Sequence, residues 1–266
     1  MTESFWTRVG LRVATGFVLA FLYLPLIILV IYAFNSSRLQ AWPPAGFTLH
    51  WFAEAAGNTS LREAILNSVL AGLGATAIAL VLGTLAALAI HRFSFFGRET
   101  ITFLFVLPIA LPGVVTGIAL RTTFQTAGVD FGLMTIIVGH ATFCVVIAYN
   151  NVIARMRRLP RTPEEASADL GADSWTTFRR ITLPSIGTAL LSGGLLAFAL
   201  SFDEIIVTLF TAGPGTETVP MWILGAIRRP RELPVVNVVA FVLILISTIP
   251  VYLAQRISAG SGGGRY

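Results

Sequence analysis

Two adjacent acids, Asp203 and Glu204, stand in an otherwise apolar run and are the side chains of this sequence best suited to specific chemistry. A carboxylate at the centre of a bilayer costs about 2.5 to 3.5 kcal/mol on insertion scales, so acids at this depth need a reason to be there. Their field in a low-dielectric path favours cations and opposes sulfate, molybdate or phosphate. On a continuous helix, 3-4-3 spacing defines one polar stripe, made up of Ser201, Glu204, Thr208 and Thr211.

The stripe makes Glu204 the better candidate for a residue that lines a cation path. Asp203 has two interpretations, because it either reaches the same path or pairs with an amide on a neighbouring span, such as Asn150 or Asn151. Structural pairing of both acids is a third alternative. The residues predicted to line the path are Glu204, Asp203, Thr208 and Ser201.

The sequence offers few residues for metal binding or for covalent catalysis. His50, His91 and His140 lie far apart and match no metal-ligand spacing, so we predict no metal site. Cys144 is the single cysteine and sits in an apolar run, which predicts a packing role. Lysine is absent, which excludes a lysine-bearing phosphate loop and a lysine nucleophile. We therefore assign no catalytic residue and no cofactor to this chain.

The composition indicates a membrane protein. Hydrophobic residues make up 55% of the chain, charged residues only 12%, and the mean hydropathy is +0.80. Soluble domains carry about 25% charged residues. The net charge of +5 is explained by arginine-rich cytoplasmic loops, so we predict no nucleic-acid partner.

Six apolar segments supply the elements that position the two acids, and they predict an all-α membrane protein with six transmembrane helices. We read the first as a retained anchor rather than a signal peptide, because it is too long for an h-region. A further short apolar helix, at about 221–227, is expected to lie at the outer surface. The six predicted spans cover about 13–34, 64–90, 101–124, 133–154, 186–211 and 235–253, with an N-terminus at 1–12, a transmembrane domain at 13–257 and a flexible tail at 258–266.

Glycines and prolines distinguish two of the spans. Gly72, Gly74 and Gly83 allow close backbone approach, so the second span is predicted to pack inside the bundle. Pro108 and Pro112 break or kink the third span. Either the third span lies near a pathway, where freed backbone groups find partners, or it is merely bent.

The polar loop 155–185, between the fourth and fifth spans, predicts two short helices. Thr162 at N-cap and Glu165 at N3 form a capping box, with a proline between them at N1. Gly171 is expected to end the first helix in the left-handed conformation. Asp173 or Ser174 then caps a second helix, which is predicted to carry two arginines in its last turn and to end at Leu183-Pro184.

This loop resembles the EAA loop of the permeases of type I ABC importers. Glu165-Ala166-Ser167, Gly171 and then Ile181-x-Leu183-Pro184 follow the family spacing, with Ser167 in place of an alanine. The resemblance implies that Glu165 meets an ATPase subunit, that Ala166 and Ser167 permit close approach, and that Gly171 makes the turn. The coupling residues implied in this way are Glu165, Ala166, Ser167, Gly171, Ala172, Leu183 and Pro184.

Segments 201–207 and 234–240 are similar to the second permease subunit of putrescine/spermidine importers. That resemblance implies a second homologous permease subunit, a dimeric ABC ATPase that binds ATP and Mg, and a periplasmic or extracellular substrate-binding protein. It also implies the bacterial inner membrane and a polyamine substrate. Another small cation or a zwitterion is the alternative substrate, since selectivity belongs mainly to the binding protein.

Arginine distribution predicts the orientation. With both termini cytoplasmic, twelve arginines fall inside and six outside, which places the polar loop in the cytoplasm. Three of the outer arginines, at 228, 229 and 231, go against this trend; contact with a binding protein and contact with lipid headgroups are both open. A secondary transporter would need inverted repeats, and we find none in the sequence. A membrane enzyme would need a nucleophile, a base or a metal site near the interface, and these residues do not supply one.

Overall fold

The computed structural model describes residues 4–260 of the chain, and this part is all-helical. Apolar runs of 20 or more residues form helices because a helix satisfies all of its backbone hydrogen bonds internally. The helices are α1 (Phe5–Ala33), α2 (His50–Gly57), α3 (Thr59–Arg92), α4 (Arg98–Ala110), α5 (Gly113–Thr126), α6 (Leu133–Met156), α7 (Thr162–Asp169), α8 (Ser174–Thr177), α9 (Leu183–Phe202), α10 (Ile206–Thr211), α11 (Val219–Ile227) and α12 (Leu233–Gly260), with a π-helical turn at Phe178–Thr182 and a 3₁₀ turn at Pro230–Glu232.

Four helical stretches in the described residues are long and apolar enough to cross a membrane. They are α1, α3, α6 and the run Ser174–Phe202, which includes α9. The predicted third span is divided at Leu111-Pro112 into α4 and α5, of 13 and 14 residues. Pro112 is the N-cap of α5, so the prediction of a proline-broken helix is confirmed.

Small residues pack α3 against α6 and α9, as the glycines of the second span predict. The rest of α3 is not enclosed in the bundle, contrary to the prediction, because Leu66, Leu73 and Leu85 are exposed. A Cβ added at Gly72 would lie 2.8 Å from the Phe198 ring of α9, and one at Gly83 would lie 2.8 Å from the Tyr149 backbone nitrogen of α6. Cys144 is fully buried in the same core, as predicted, and its Sγ donates to the Ala197 carbonyl at 3.3 Å. The backbones therefore approach too closely for larger side chains.

The chain divides into two compact units, and the candidate sites lie in the larger one, residues 60–222 and 247–266. The smaller unit, residues 1–59 and 223–246, has an aromatic cluster in which the Phe34 ring lies 5.0 Å from Phe52 and 5.5 Å from Phe241. In the same unit Arg229 pairs with Glu232 at 2.7 Å.

The two ends of the chain differ from the prediction. The first helix begins at Phe5 rather than near residue 13, because the segment before the apolar run continues the same helix. The last helix continues to Gly260, so residues 258–260 of the predicted flexible tail are helical. Residues 1–3 and 261–266, which complete the predicted N-terminus and tail, lie outside the described residues.

Candidate functional site

The loop between α6 and α9 folds into a helical knob, residues 162–182, made of α7, α8 and the π-helical turn. Gly171 has φ of +78°, as predicted, and makes the turn between α7 and α8. The Asp173 side chain caps α8 by accepting a hydrogen bond from the Thr176 backbone N–H at 3.1 Å, which confirms one of the two predicted caps. Hydrogen bonding from Thr176 also lowers the pKa of the Asp173 carboxyl.

The predicted capping box at the start of the knob is wrong. Arg161 occupies the N-cap position of α7 and forms no side-chain cap, and Glu165 points into solvent. The neighbouring acid, Glu164, accepts a hydrogen bond from Arg92 at 2.7 Å, and its Oε1 also accepts one from the Thr182 hydroxyl. The first turn of α7 is therefore fixed by residues distant in sequence rather than by a local cap.

Arg92, Glu164 and Thr182 form a closed triangle. The Arg92 guanidinium donates to the Thr182 hydroxyl at 2.9 Å as well as to Glu164. Burial alone would raise the pKa of the Glu164 carboxyl, but the hydrogen bonds from Thr182 and Arg92 outweigh it and hold the pKa below its usual value. Glu164 is therefore ionised at neutral pH.

Leu183-Pro184 does not end the second helix, contrary to the prediction. The chain passes through the π-helical turn directly into α9, and Pro184 lies in the first turn of α9. The Leu183 N–H bonds to the Phe178 carbonyl, five residues back, so the turn is already widened where the proline ring enters. The missing N–H of Pro184 therefore falls where the hydrogen-bond pattern changes from π-helical to α-helical.

The predicted coupling residues do not all face outward. Glu165, Ala166, Gly171, Leu183 and Pro184 are exposed, and Ala172 is half-buried. Ser167 is buried instead, because its hydroxyl lies 2.9 Å from the Thr177 hydroxyl and joins α7 to α8. The small side chain at 167 thus permits close approach inside the knob, not at its surface.

Two exposed apolar side chains of the knob were missed by the sequence analysis. Leu170 is 89% exposed and Trp175 is 65% exposed. Large apolar residues in an otherwise polar loop were the available signal. Together with Glu165 they give the knob an outer surface that is partly apolar and partly acidic.

The second candidate site is a break between α9 and α10. α9 ends at Phe202 and α10 begins at Ile206, so the continuous helix assumed for the polar stripe is wrong. Glu204 lies in the break, and its Oε1 accepts a hydrogen bond from the Val207 backbone N–H at 2.9 Å. The N-cap position itself is Ile205, so the Glu204 side chain caps α10 from one residue earlier, which gives this acid a structural contact.

His140 of α6 bridges the break. Its Nδ1 lies 2.7 Å from the Ser201 hydroxyl at the end of α9, and its Nε2 lies 2.8 Å from the Thr208 hydroxyl in α10. All three side chains are buried, with His140 only 1% exposed. Ser201 and Thr208 therefore serve this bridge rather than a surface facing a path, and nothing local in the sequence pairs them with a histidine over 60 residues away.

Asp203, unlike the buried Ser201 and Thr208, is exposed. It forms the C-cap of α9 and its side chain is exposed, whereas Glu204 is half-buried. Within residues 4–260 no hydrogen bond joins Asp203 to Asn150 or Asn151; the Asn151 amide donates to the Ile147 carbonyl at 2.9 Å. The break therefore presents the Asp203 carboxylate, and the C-terminal carbonyl end of α9 adds partial negative charge beside it.

α10 is held on several sides. A Cβ at Gly113 of α5 would lie 3.3 Å from Ile206, and one at Gly117 would collide with the Phe210 ring. The Thr135 hydroxyl of α6 donates to the Thr211 carbonyl at 2.7 Å. A six-residue helix is stable here because three neighbouring contacts replace the helix length that it lacks.

An apolar multi-helix chain with a polar knob between two long helices and an acid-bearing break after α9 has the features of a membrane transport component. The chain belongs to the family of binding-protein-dependent transport system inner membrane components, which matches residues 79–260. It is therefore a multi-pass protein of the inner membrane and has a transport role.

Among curated relatives, the chain is 37% identical over 249 residues to the putrescine transport system permease protein PotI of Escherichia coli K12, covering 89% of this chain and 87% of the relative. It is 32% identical over 249 residues to the spermidine/putrescine transport system permease protein PotC of Shigella flexneri, covering 92% and 93%.

The fold is shared with solved ABC transporters. A bacterial ABC transporter that imports the acidic polysaccharide alginate matches with a TM-score of 0.74 and 14% identity, over 96% of this chain and 99% of the matched chain. An alginate transporter in complex with a pentasaccharide-bound periplasmic protein matches with a TM-score of 0.68 and 17% identity, over 95% and 94%. The fold is thus that of a type I ABC importer permease.

Proposed function

We propose that this chain is the permease subunit of an ATP-driven importer that carries putrescine or spermidine across the bacterial inner membrane. The observation that carries this proposal is the 37% identity to a putrescine permease over 89% of the chain. The exposed carboxylate of Asp203 in the break supports it, because an acid in a low-dielectric path attracts a cation.

The knob is the coupling element of this proposal. Its outer surface, with Glu165, Leu170 and Trp175, docks on a separate ABC ATPase that binds ATP and Mg. Gly171 permits the turn, and the small side chains of Ala166 and Ala172 allow the ATPase to approach the knob backbone closely. The hydrogen bond between the Ser167 and Thr177 hydroxyls supports this role. Because it joins α7 to α8, the knob moves as one rigid body when the ATPase changes conformation.

Six spans complete the topology that we propose: the four long apolar stretches, the divided α4–α5 segment and α12. Both termini and the knob are cytoplasmic, which the arginine distribution supports. Six spans form half of a pore, so a second homologous permease completes it, and a substrate-binding protein delivers the cargo at the outer face. The complex of an alginate transporter with its periplasmic protein is consistent with this arrangement.

The break is the part of the path that recognises charge. Asp203 presents its carboxylate to the passing cation, and Glu204, although it caps α10, contributes its negative charge from a half-buried position. Ser201 and Thr208 act indirectly, since their hydroxyls hold the break through His140.

A paired substitution tests this assignment. Asp203→Asn with Glu204→Gln removes both charges but leaves an amide oxygen able to cap α10. The expected result is a lower rate of radiolabelled putrescine and spermidine uptake in proteoliposomes of the assembled transporter, at an unchanged amount of complex. Wild-type uptake by the double variant would return both acids to a purely structural role.

The choice between a polyamine and another small cation or zwitterion requires the substrate-binding protein of this importer. Calorimetric titration with putrescine and spermidine, and with glycine betaine as the zwitterion, identifies the cargo. Tight binding of a polyamine is the expected result. Binding of the zwitterion alone would leave an importer with a different cargo.

A further inference from the structure

Arg92 joins three elements that are far apart in the sequence. It is the last residue of α3, and its Nη2 lies 2.7 Å from Glu164 of α7 and 2.9 Å from Thr182 of the π-helical turn. Glu164 follows Arg92 by 72 residues and Thr182 follows it by 90. The knob is covalently continuous with α6 and α9, but its connection to α3 runs through side chains.

The environment of this connection makes it firmer than an ordinary surface ion pair. The side chains of Arg92 and Glu164 are only 29% and 31% exposed, and Thr182 is 3% exposed. The Thr182 hydroxyl both donates to the carboxylate and accepts from the guanidinium, so all three groups fix one another. Ion pairs with additional hydrogen bonds and partial shielding from water exceed the small contribution of exposed pairs.

The far side of the connection is equally rigid. α3 packs along α6 and α9 through Gly83 and Gly72, where an added Cβ would approach Tyr149 and Phe198 to within 2.8 Å. A movement imposed on the Arg92 end of α3 therefore cannot be absorbed by loose packing further along the helix.

We propose that Arg92 is a positioning residue for energy coupling, which ties the knob to α3 so that ATPase-driven motion of the knob reaches α3 directly, in addition to α6 and α9. The inference rests on the proposed function of the knob and adds a route that the covalent chain does not provide. Without the tie, the knob still reaches α6 and α9, but α3 no longer follows it.

Matched variants in the complete transporter, reconstituted with its ATPase and binding protein, test this role. Arg92→Gln and Glu164→Gln each remove one charge of the pair, and Arg92→Lys keeps the charge in a shorter side chain. The control is Arg98→Gln, which removes an exposed arginine at the start of α4, six residues after Arg92. Gly171→Val serves as the positive control, because it distorts the knob itself.

The decisive measurement is substrate imported per ATP hydrolysed, at equal amounts of assembled complex. We expect Arg92→Gln and Glu164→Gln to lower this ratio by about fivefold or more, the lower range of coupling between distant sites, while ATP hydrolysis continues. Arg92→Lys should retain an intermediate ratio, and Arg98→Gln the wild-type ratio. A charge swap, Arg92→Glu with Glu164→Arg, should recover part of the loss seen in Arg92→Glu alone.

The outcomes separate this inference from the proposed function. An unchanged ratio in Arg92→Gln, with uptake lost in Gly171→Val, would overturn the tie and leave the knob as coupling element. Normal uptake in Gly171→Val would overturn the coupling role of the knob and the tie with it. Loss of complex from the membrane in Arg92→Glu that the charge swap does not restore would also overturn the inference, because Arg92 would then serve folding alone.

Discussion

The knob and the helix break are each held by one side chain that hydrogen-bonds to two others. The knob connection is partly exposed to water, whereas the connection at the break is buried. At the knob, one side chain from α3 bonds to Glu164 and Thr182, which lie 18 residues apart. At the break, His140 of α6 bonds to Ser201 and Thr208 on either side of the interruption. The first uses a charged pair that water partly reaches, and the second uses an imidazole and two hydroxyls in a fully buried site.

The difference follows from the energy of burying charge. A guanidinium and a carboxylate remain partly solvated at the bundle end, so their attraction is not offset by a large desolvation penalty. Inside the bundle that penalty would dominate, whereas hydrogen bonds between a histidine and two hydroxyls satisfy each group without full charges. The knob connection can therefore respond to pH, while the break should be sensitive mainly to loss of a partner.

The largest expected effect is at the turn of the knob. Gly171→Val places a β-branched residue at φ of +78°, a conformation that such side chains rarely adopt, so the angle between α7 and α8 must change. Membrane insertion should persist and substrate uptake should be lost. Gly171→Asn is the matched control, because asparagine tolerates the left-handed region, and it should retain most uptake. Equal loss in both variants would contradict a backbone cause.

The next largest effect is at the break. His140→Ala leaves the Ser201 and Thr208 hydroxyls buried without their ring partner and opens a cavity. We expect it to destabilise the purified complex by about 3 kcal/mol, as measured by thermal unfolding in detergent. Cys144→Ala on the same helix removes one weak sulfur hydrogen bond and should cost about 1 kcal/mol. Similar melting temperatures for the two variants would argue against the bridge.

A smaller effect separates capping from charge at Glu204. Glu204→Ala removes the acceptor for the Val207 N–H and should cost about 1 kcal/mol in the same unfolding assay. Glu204→Gln keeps an acceptor oxygen and should unfold close to the wild type. If the two variants have the same stability, the cap does not stabilise α10.

The smallest effect is the pH dependence of the knob connection. Because the pKa of Glu164 is lowered, its contribution to stability is complete above its ordinary value of 4.5 and is lost as pH falls through the lowered pKa. The stability difference between wild type and Glu164→Gln should therefore shrink in acid, where the Glu164 carboxyl is protonated and carries no charge, like the amide that replaces it. A difference that grows in acid would have the wrong sign for this pair.

The sequence predicted features that depend on neighbouring residues. The left-handed Gly171, the Asp173 cap, the break at Pro112 and the close packing of Gly72 and Gly83 are all confirmed. Each follows from the conformational freedom or size of one residue and its immediate surroundings. Gly171 and Asp173 located the turn of the knob, whereas the apolar segments located the long helices.

The wrong predictions concern positions where the structure depends on a residue distant in sequence or on a local change of helix geometry. The capping box failed because α7 begins one residue earlier, with Arg161 at N-cap, and the acid that fixes its first turn is Glu164, whose partner Arg92 no local pattern contains. The polar stripe failed because the chain breaks at residues 203–205, where neither glycine nor proline marks an interruption. The helix end at Pro184 failed because a π-helical turn makes room for the ring.

The contact between α5 and α10 has a mechanical consequence. Each of these short helices begins at an interruption, Leu111-Pro112 for α5 and residues 203–205 for α10. At Gly117 the backbone of α5 meets the Phe210 ring with no space for a methyl group between them. Because the two helices pack without space between them, a change of angle at one interruption cannot leave the other helix in place.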